Sequence, residues 1–304
     1  MPLNCAGDRG DALRKFTAQG TTGKVSQMRL GYNTNGLTGH RWEQALELMH
    51  ETGYRSVAIT VDQHCLNPFS PELPREVSQM QRLLDQYEMT SVIETGARFL
   101  LDPRAKHEPT LVSPHVEQRE IRIDFLRRCV SLAKSLGSDA VSFWAGTVRD
   151  GTARDVAFER LADGVRQLID VAEQQDVKLA FEPEPGMLIQ TFDDYRELLS
   201  RVDGPGFGLC VDIGHVHCLE PRPISEYLLE WRERLFTIHI EDMVRGVHDH
   251  LRFGEGTIKF PPVLRTLKDM GYQGGLNVEL SRHSHIAPEV LRESFEFLSQ
   301  LKSE

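Results

Sequence analysis

Short apolar runs alternate with longer segments whose apolar residues recur at helical spacing, from Met28 to the end of the chain. The short runs are rich in β-branched and aromatic residues, a composition typical of strands. They predict eight strands, over residues 28–33, 56–61, 90–95, 139–146, 177–183, 206–212, 235–241 and 274–280. The segments between them predict amphipathic helices over residues 41–53, 121–137, 159–175, 192–202, 224–235, 261–271 and 288–301.

Eight strand–helix units predict an α/β fold, a single (β/α)₈ TIM barrel that forms one catalytic domain over residues 28–302. An open doubly wound sheet is the main alternative, but such folds usually carry a G-x-G-x-x-G turn after the first strand. The segment after this first strand, NTNGLTGHRW (33–42), lacks that turn. Residues 1–27 are rich in Gly, Thr, Ser and charge, which predicts a disordered tail ahead of the barrel.

Four consecutive strands each place a side chain that can bind a metal near their carboxyl end. One side-chain phase of these strands is apolar, and the opposite phase carries Glu182, Asp212, His239 and Glu279. Barrel active sites lie at that end, so the four side chains converge in the predicted fold. Separate strand-end residues held by hydrogen bonds are the alternative, but three buried carboxylates in one phase call for a cation. Oxygen-rich ligation with one imidazole suits Mn²⁺, Mg²⁺ or Co²⁺ and leaves Zn²⁺ open.

Composition and charge limit the kinds of partner that this chain is expected to bind. Its 304 residues carry a formal net charge of −10, which disfavours nucleic acid because phosphate backbones are bound by clustered Lys and Arg. No apolar run approaches the ~20 residues that span a bilayer, so no membrane partner is expected. Five cysteines without a C-x-x-C pair favour reduced thiols and a cytoplasmic location. Monomer and homo-oligomer both stay open.

Five short motifs occur in an order and spacing that is similar to a known family. They are LAFEPEPG (179–186), CVDIGHVH (210–217), IHIED (238–242), HDHLRFGEGTIKF (248–260) and LNVELSRH (276–283). With them the chain resembles the xylose isomerase-like barrel superfamily of sugar (phosphate) isomerases and epimerases over residues 28–301. That superfamily also includes tagatose/psicose 3-epimerases, inosose dehydratases, hydroxypyruvate isomerases and endonuclease IV.

The resemblance implies roles for the convergent residues. Glu182, Asp212, His239 and Glu279 match the family's metal ligands, and Glu182 and Glu279 match its catalytic acid and base. The implied activity is a divalent-metal-dependent isomerase or epimerase of a small sugar, sugar phosphate or related polyol ketone. Such enzymes move a proton between adjacent carbons through a metal-stabilised enediolate. His215, His248 and His250 match positions that contact the substrate or hold a further metal, with a plain surface role as the alternative.

Five further residues are predicted to contact the sugar or polyol substrate: Trp144, His64, Arg98, Lys106 and Glu184. Trp144 would form an apolar wall, or simply pack within the barrel. Arg98 and Lys106 lie in a long segment, residues 96–120, and could bind a phosphate or carboxylate or belong to a solvated basic loop.

Three other functions compete with the isomerase or epimerase. An inosose-type dehydratase, which is a lyase, and a catalytically silent polyol-binding barrel are the alternatives on the same scaffold. An endonuclease IV-like DNA repair enzyme is disfavoured because the fourth strand ends in SFWAG, with Trp144 where that branch would place a ligand. Metal content separates the silent barrel from the enzymes.

Overall fold

The computed structural model describes residues 28–202 and 204–303, and its centre is a closed barrel of eight parallel strands. The strands are β1 (Arg29–Asn33), β2 (Ser56–Thr60), β3 (Thr90–Glu94), β4 (Val141–Phe143), β5 (Leu179–Phe181), β6 (Phe207–Asp212), β7 (Leu235–Ile240), β8 (Asp242–Val244), β9 (Val247–Leu251) and β10 (Gly275–Val278). All except β8 and β9 belong to the barrel, in which β10 pairs with β7 and with β1. The predicted (β/α)₈ barrel is confirmed. The predicted disordered tail, residues 1–27, lies outside the described residues.

Helices cover the outside of the barrel. They are α1 (Trp42–Thr52), α2 (Leu73–Gln86), α3 (Val116–Leu136), α4 (Arg154–Gln175), α5 (Phe192–Leu199), α6 (Ile213–Leu219), α7 (Ile224–Glu230), α8 (Phe260–Asp269) and α9 (Ala287–Ser303). The seven predicted helices are all present, whereas α2 and α6 were not predicted. Within the described ranges, none of these helices combines the length and apolar character needed to cross a bilayer.

The side-chain phases of the strands match the predicted alternation. Apolar residues such as Val211, Ile238 and Val278 belong to the main hydrophobic core. The opposite phase carries small polar groups in the barrel interior. There Ser56 Oγ lies 3.0 Å from Asn277 Oδ1, and Asn277 Nδ2 lies 3.3 Å from Thr237 Oγ1. These contacts satisfy buried polar atoms and fill the barrel below the predicted site.

The fourth and fifth strands are much shorter than predicted, at three residues each. The fourth covers Val141–Phe143 rather than residues 139–146, and the fifth covers Leu179–Phe181 rather than residues 177–183. The fifth ends because Pro183 has no N–H to extend the ladder, although Glu182 N still donates to Phe143 O at 2.9 Å. The irregular backbone that follows each strand forms part of the mouth of the barrel.

Two unpredicted elements shape that mouth. Helix α6 begins directly after Asp212, whose Oδ1 accepts a hydrogen bond of 2.9 Å from His215 N and caps the helix. Strands β8 and β9 form an antiparallel hairpin directly after β7. The hairpin carries His248 and His250 on β9, so the barrel mouth receives side chains from a loop element as well as from strand ends.

Candidate active site and metal centre

The four predicted metal ligands lie together at the carboxyl end of the barrel. Each offers one ligand atom, and all four atoms lie within 4.8 Å of one another. Glu182 follows β5, Asp212 ends β6, His239 lies in β7 and Glu279 follows β10. The register explains their closeness, because Asp212 and Asn277 both pair with His239 across neighbouring strands. Glu182, Asp212 and His239 are buried, and the Glu279 side chain is 18% exposed.

His239 is at the centre of this group. Its Nδ1 lies 3.1 Å from Glu182 Oε1 and 3.0 Å from Glu279 Oε2. Its Nε2 faces the other way and lies 3.0 Å from Glu94 Oε1. Asn35 Nδ2 donates a hydrogen bond of 2.7 Å to Glu279 Oε1. The imidazole therefore has carboxylates on both of its nitrogens.

Burial and neighbouring charges shift the pKa values of these groups in different directions. Burial raises the pKa of Glu182 to about 8 even though His239 lies beside it. Burial also opposes ionisation of Glu279, but the contact with His239 and the Asn35 hydrogen bond hold its pKa well below the usual range. For His239, burial favours the neutral ring, yet the Cys210 thiol and the surrounding carboxylates raise its pKa well above the usual value. The pKa values of the neighbouring carboxyls of Glu182 and Glu279 are thus shifted in opposite directions.

The group fits a divalent cation. Asp212 Oδ2 is buried and accepts no hydrogen bond from any described residue. Unpaired buried carboxylate oxygens are costly, and a cation satisfies them. Three carboxylates and one imidazole form a donor set that Mn²⁺, Mg²⁺, Co²⁺ and Zn²⁺ all accept.

Three histidines form a second cluster beside the first. His248 Nε2 lies 3.1 Å from His215 Nε2 and 3.4 Å from His250 Nε2. His215 connects the two groups, since its Nε2 is 3.7 Å from Asp212 Oδ2 and its Nδ1 is 3.7 Å from Glu184 Oε2. Burial lowers the pKa of His215 to about 4, so its ring is neutral near pH 7 and a nitrogen lone pair is free to bind a metal.

Two buried carboxylates at the barrel mouth received no predicted role. Glu94 ends β3 and contacts His239. Glu241 follows β7, is fully buried, and neither of its oxygens accepts a hydrogen bond within the described part of the chain. It groups with Asp212 and His250 as a further set of potential ligands. Glu241 lies two residues after His239, in the same strand phase, and that spacing was the sequence signal for it.

A cavity of about 470 Å³ opens over the four-residue centre. Its volume falls in the range of small-molecule sites. The predicted site residues that line it are Trp144, Arg98, Lys106, Glu182, Glu184, His248, His250 and Glu279. Buried Arg122 lies 4.5 Å from the Trp144 ring centroid, and His107 contacts the same ring edge-on at 5.6 Å. Trp144 is therefore held on two sides where it faces the cavity.

His64 is not brought together with the other predicted substrate contacts. Its side chain is exposed, and it lines a separate recess of about 80 Å³. The chain turns outward after β2 because Asp62 and Cys65 exchange backbone hydrogen bonds of 3.0 and 3.2 Å. Arg98 lines both spaces, and its guanidinium pairs with Asp62 at 3.3 Å. Part of its charge is thus already compensated, whereas Lys106 makes no ion pair with any described residue.

A family model described as xylose isomerase-like TIM barrel matches residues 46–301. The chain belongs to this family. Its relatives in the family include sugar epimerases, among them the L-ribulose-5-phosphate 3-epimerase of Shigella flexneri. That protein is 25% identical over 257 residues, which cover 84% of this chain and 87% of the relative.

Solved structures of other proteins share the fold. The D-allulose 3-epimerase of Methylomonas sp. in complex with D-allulose superposes with a TM-score of 0.71 at 17% identity, covering 90% of this chain and 97% of that one. An IolI protein with a bound zinc atom superposes with a TM-score of 0.71 at 19% identity, covering 91% and 98%. At these identities the likeness shows the barrel fold and no particular substrate.

Proposed function

We propose that this protein is a divalent-metal-dependent epimerase or isomerase of a small ketose or sugar phosphate. One observation carries the proposal: Glu182 and Glu279 approach the same nitrogen of His239 at the wall of a 470 Å³ cavity, with Asp212 beside them. Two carboxylates that share a cation site and face a cavity are equipped to move a proton on a bound substrate. The family membership and the named epimerase relatives support this reading.

The proposed metal ligands are Glu182, Asp212, His239 and Glu279, with Mn²⁺, Mg²⁺, Co²⁺ or Zn²⁺ as the ion. A bound divalent ion would supply Lewis acidity that makes the hydrogen on the carbon beside a carbonyl more acidic. The orphaned Asp212 Oδ2 and the neutralisation of three carboxylates are what favour an ion here.

The proposed catalytic residues are Glu182 and Glu279. Pairs of carboxyls whose environments push their pKa values apart divide into an acid and a base. In the metal-free protein the pKa of Glu279 is lowered and that of Glu182 is raised to about 8, which favours Glu279 as the group that accepts the proton from carbon. Glu182 is then proposed as the group that returns a proton to the substrate. Return of the proton to the same carbon from the opposite face gives epimerisation. Return to the neighbouring carbon, together with transfer of the hydroxyl proton to the former carbonyl oxygen, gives isomerisation.

The cavity lining supplies the proposed substrate contacts. Trp144 forms an apolar wall, and Glu184 is placed to accept hydrogen bonds from sugar hydroxyls. Arg98 and Lys106 are proposed to bind an anionic end of the substrate, such as a phosphate. The relative from Shigella flexneri is named for a phosphorylated ketopentose, so ketopentose phosphates are the first substrates to test.

His215, His248 and His250 are proposed to hold a second divalent ion. The near approach of their Nε2 atoms, 3.1 and 3.4 Å, favours this role over separate contacts to substrate hydroxyls. Metal analysis decides between the two roles. About two ions per chain are expected, and His248→Ala is expected to reduce that ratio to about one. An unchanged ratio would leave the cluster as substrate contacts.

The test of the function is a turnover screen in D₂O. Metal-loaded protein is incubated with ketoses, inososes and ketose phosphates, and NMR follows both conversion and deuterium incorporation at the carbon beside the carbonyl. Deuterium incorporation that Glu279→Gln abolishes supports the proposal. Loss of water from an inosose would instead support the dehydratase, and a protein that binds no divalent metal and exchanges no deuterium on any substrate would support a silent polyol-binding barrel.

A further inference from the structure

Glu94 reaches the candidate metal centre from the far side of the barrel. It ends β3, and four strand steps separate β3 from β7 in the closed eight-stranded barrel, so the two strands lie diametrically opposite. Its carboxylate nevertheless comes within 3.0 Å of His239 Nε2. The Glu94 side chain is only 9% exposed, which makes this an interaction between buried groups. Because this contact spans the full width of the barrel, it forms only when the Glu94 and His239 side chains are both held in defined positions.

The backbone around Glu94 is fixed from both sides. Glu94 O accepts a hydrogen bond of 3.0 Å from Val61 N on the chain that follows β2. Thr95 Oγ1 donates to Ser142 O on β4 at 2.7 Å, and Thr95 O accepts from the buried Arg122 Nη2 at 2.8 Å. The strand end is therefore held where the Glu94 carboxylate meets the imidazole.

The two nitrogens of His239 face different groups. Nδ1 faces Glu182 and Glu279, which are proposed metal ligands, at 3.1 and 3.0 Å. Nε2 faces Glu94 and none of those ligands. A neutral imidazole that gives the lone pair of Nδ1 to a metal carries its proton on Nε2, where the proton needs an acceptor. Glu94 Oε1 is that acceptor.

We propose that Glu94 is a positioning residue that fixes His239 in the tautomer and ring orientation in which Nδ1 binds the metal. Carboxylates that accept the second N–H of a ligating histidine hold the ring and make it a better ligand, and their loss typically weakens metal binding about 10- to 100-fold. The proposal rests on the proposed function, because it assigns Glu94 a role toward that metal.

A direct catalytic role is the competing role for Glu94, since the residue also lines the cavity. The two roles differ in what a glutamine does. The amide oxygen of Glu94→Gln still accepts a hydrogen bond from Nε2–H, although a neutral acceptor is weaker than a carboxylate. The same amide cannot act as an acid or base.

The test compares metal affinity in wild type, Glu94→Gln, Glu94→Ala and a control, Glu296→Gln. Glu296 is an exposed residue of α9 and makes no ion pair within the described part of the chain. Mn²⁺ and Co²⁺ are titrated separately by calorimetry, and the visible spectrum of the Co²⁺ form reports the ligand geometry. Circular dichroism establishes that each variant is folded. Should Glu94→Ala fail to fold, the affinity and Co²⁺ spectrum of Glu94→Gln decide alone.

The positioning role predicts that Glu94→Ala loses metal affinity roughly 10- to 100-fold, while Glu94→Gln stays within roughly fivefold of wild type with an altered Co²⁺ spectrum. Glu296→Gln is expected to match wild type. Wild-type affinity in Glu94→Ala, or a wild-type Co²⁺ spectrum in Glu94→Gln, overturns the inference and leaves the proposed function standing. Unchanged affinity in both variants with turnover lost in Glu94→Gln assigns a catalytic role instead. A wild-type chain that takes up no divalent metal overturns both.

Discussion

Asp212→Asn should lower the Tm of the metal-free protein slightly and that of the metal-loaded protein much more. Asp212 Oδ1 caps α6 through His215 N, and the amide oxygen of asparagine can keep that hydrogen bond. Asp212 Oδ2 has no donor within the described ranges and lies among Glu182, Glu279 and Glu241. An amide NH₂ in its place removes a charge and adds a donor toward those carboxylates.

The size of the metal-free effect follows from the groups around Asp212. Burial opposes ionisation of Asp212, but His215 and His250 hold its pKa below the usual value, so the folded protein favours the ionised carboxylate. Asparagine lacks that charge, so we expect the metal-free variant to be about 1 kcal/mol less stable than wild type. For a domain of this size that loss corresponds to a Tm decrease of roughly 2–4 °C.

Metal enlarges the difference. An ion present at 100 times its Kd stabilises the wild-type protein by about 2.7 kcal/mol, or roughly 5–10 °C in Tm, and the variant should lose most of this shift. Differential scanning fluorimetry in chelator and in excess Mn²⁺ measures both effects, with the exposed Asp170→Asn as the matched control. A metal-free Asp212→Asn that melts above wild type, or one that keeps the full Mn²⁺ shift, refutes the reasoning.

Four further outcomes are expected. In chelator, the free energy of unfolding should fall as the pH rises from 4.5 to about 8, because the raised pKa of Glu182 favours the folded state only while that carboxyl is protonated. Urea titrations at several pH values measure this, and the free energy of unfolding of Glu182→Gln should depend less steeply on pH than that of wild type. Trp144→Ala should raise KM about tenfold in steady-state kinetics, since a wall of the cavity is lost, and an unchanged KM contradicts its substrate role. His64→Ala should leave kcat/KM within about twofold of wild type, while Arg98→Ala raises KM for phosphorylated ketoses only; equal effects on neutral ketoses exclude an anion site.

Much of the fold followed from side-chain periodicity. The apolar phase of each strand packs toward the helices, so a simple alternation located all eight barrel strands and brought Glu182, Asp212, His239 and Glu279 to one end. Helix α2 was not predicted, although Leu73, Val77, Met80 and Leu84 recur at helical spacing and pack in or against the core. The alternation of apolar and polar residues belongs to each strand by itself. It can therefore be predicted without knowing which other segments pack against that strand.

The parts of the site that depend on contacts between residues far apart in the sequence could not be predicted from periodicity. Glu94 meets His239 only through closure of the barrel, which places the two residues on opposite sides of it. His64 follows a strand as a site residue would, but a tight turn carries it into a separate recess. The β8–β9 hairpin is short and partly exposed, so its pattern carries little signal, yet it supplies His248 and His250.

Anomalous diffraction from a crystal grown with Mn²⁺ is the most direct test of the central claim, a metal centre at the carboxyl end of the barrel. Data collected at the manganese absorption edge should show a peak bounded by Glu182, Asp212, His239 and Glu279, with His239 Nδ1 facing it. The same peak should be absent from Asp212→Asn crystals grown in the same way. A wild-type crystal with no anomalous peak among these four residues, or with its peak elsewhere, would contradict the account.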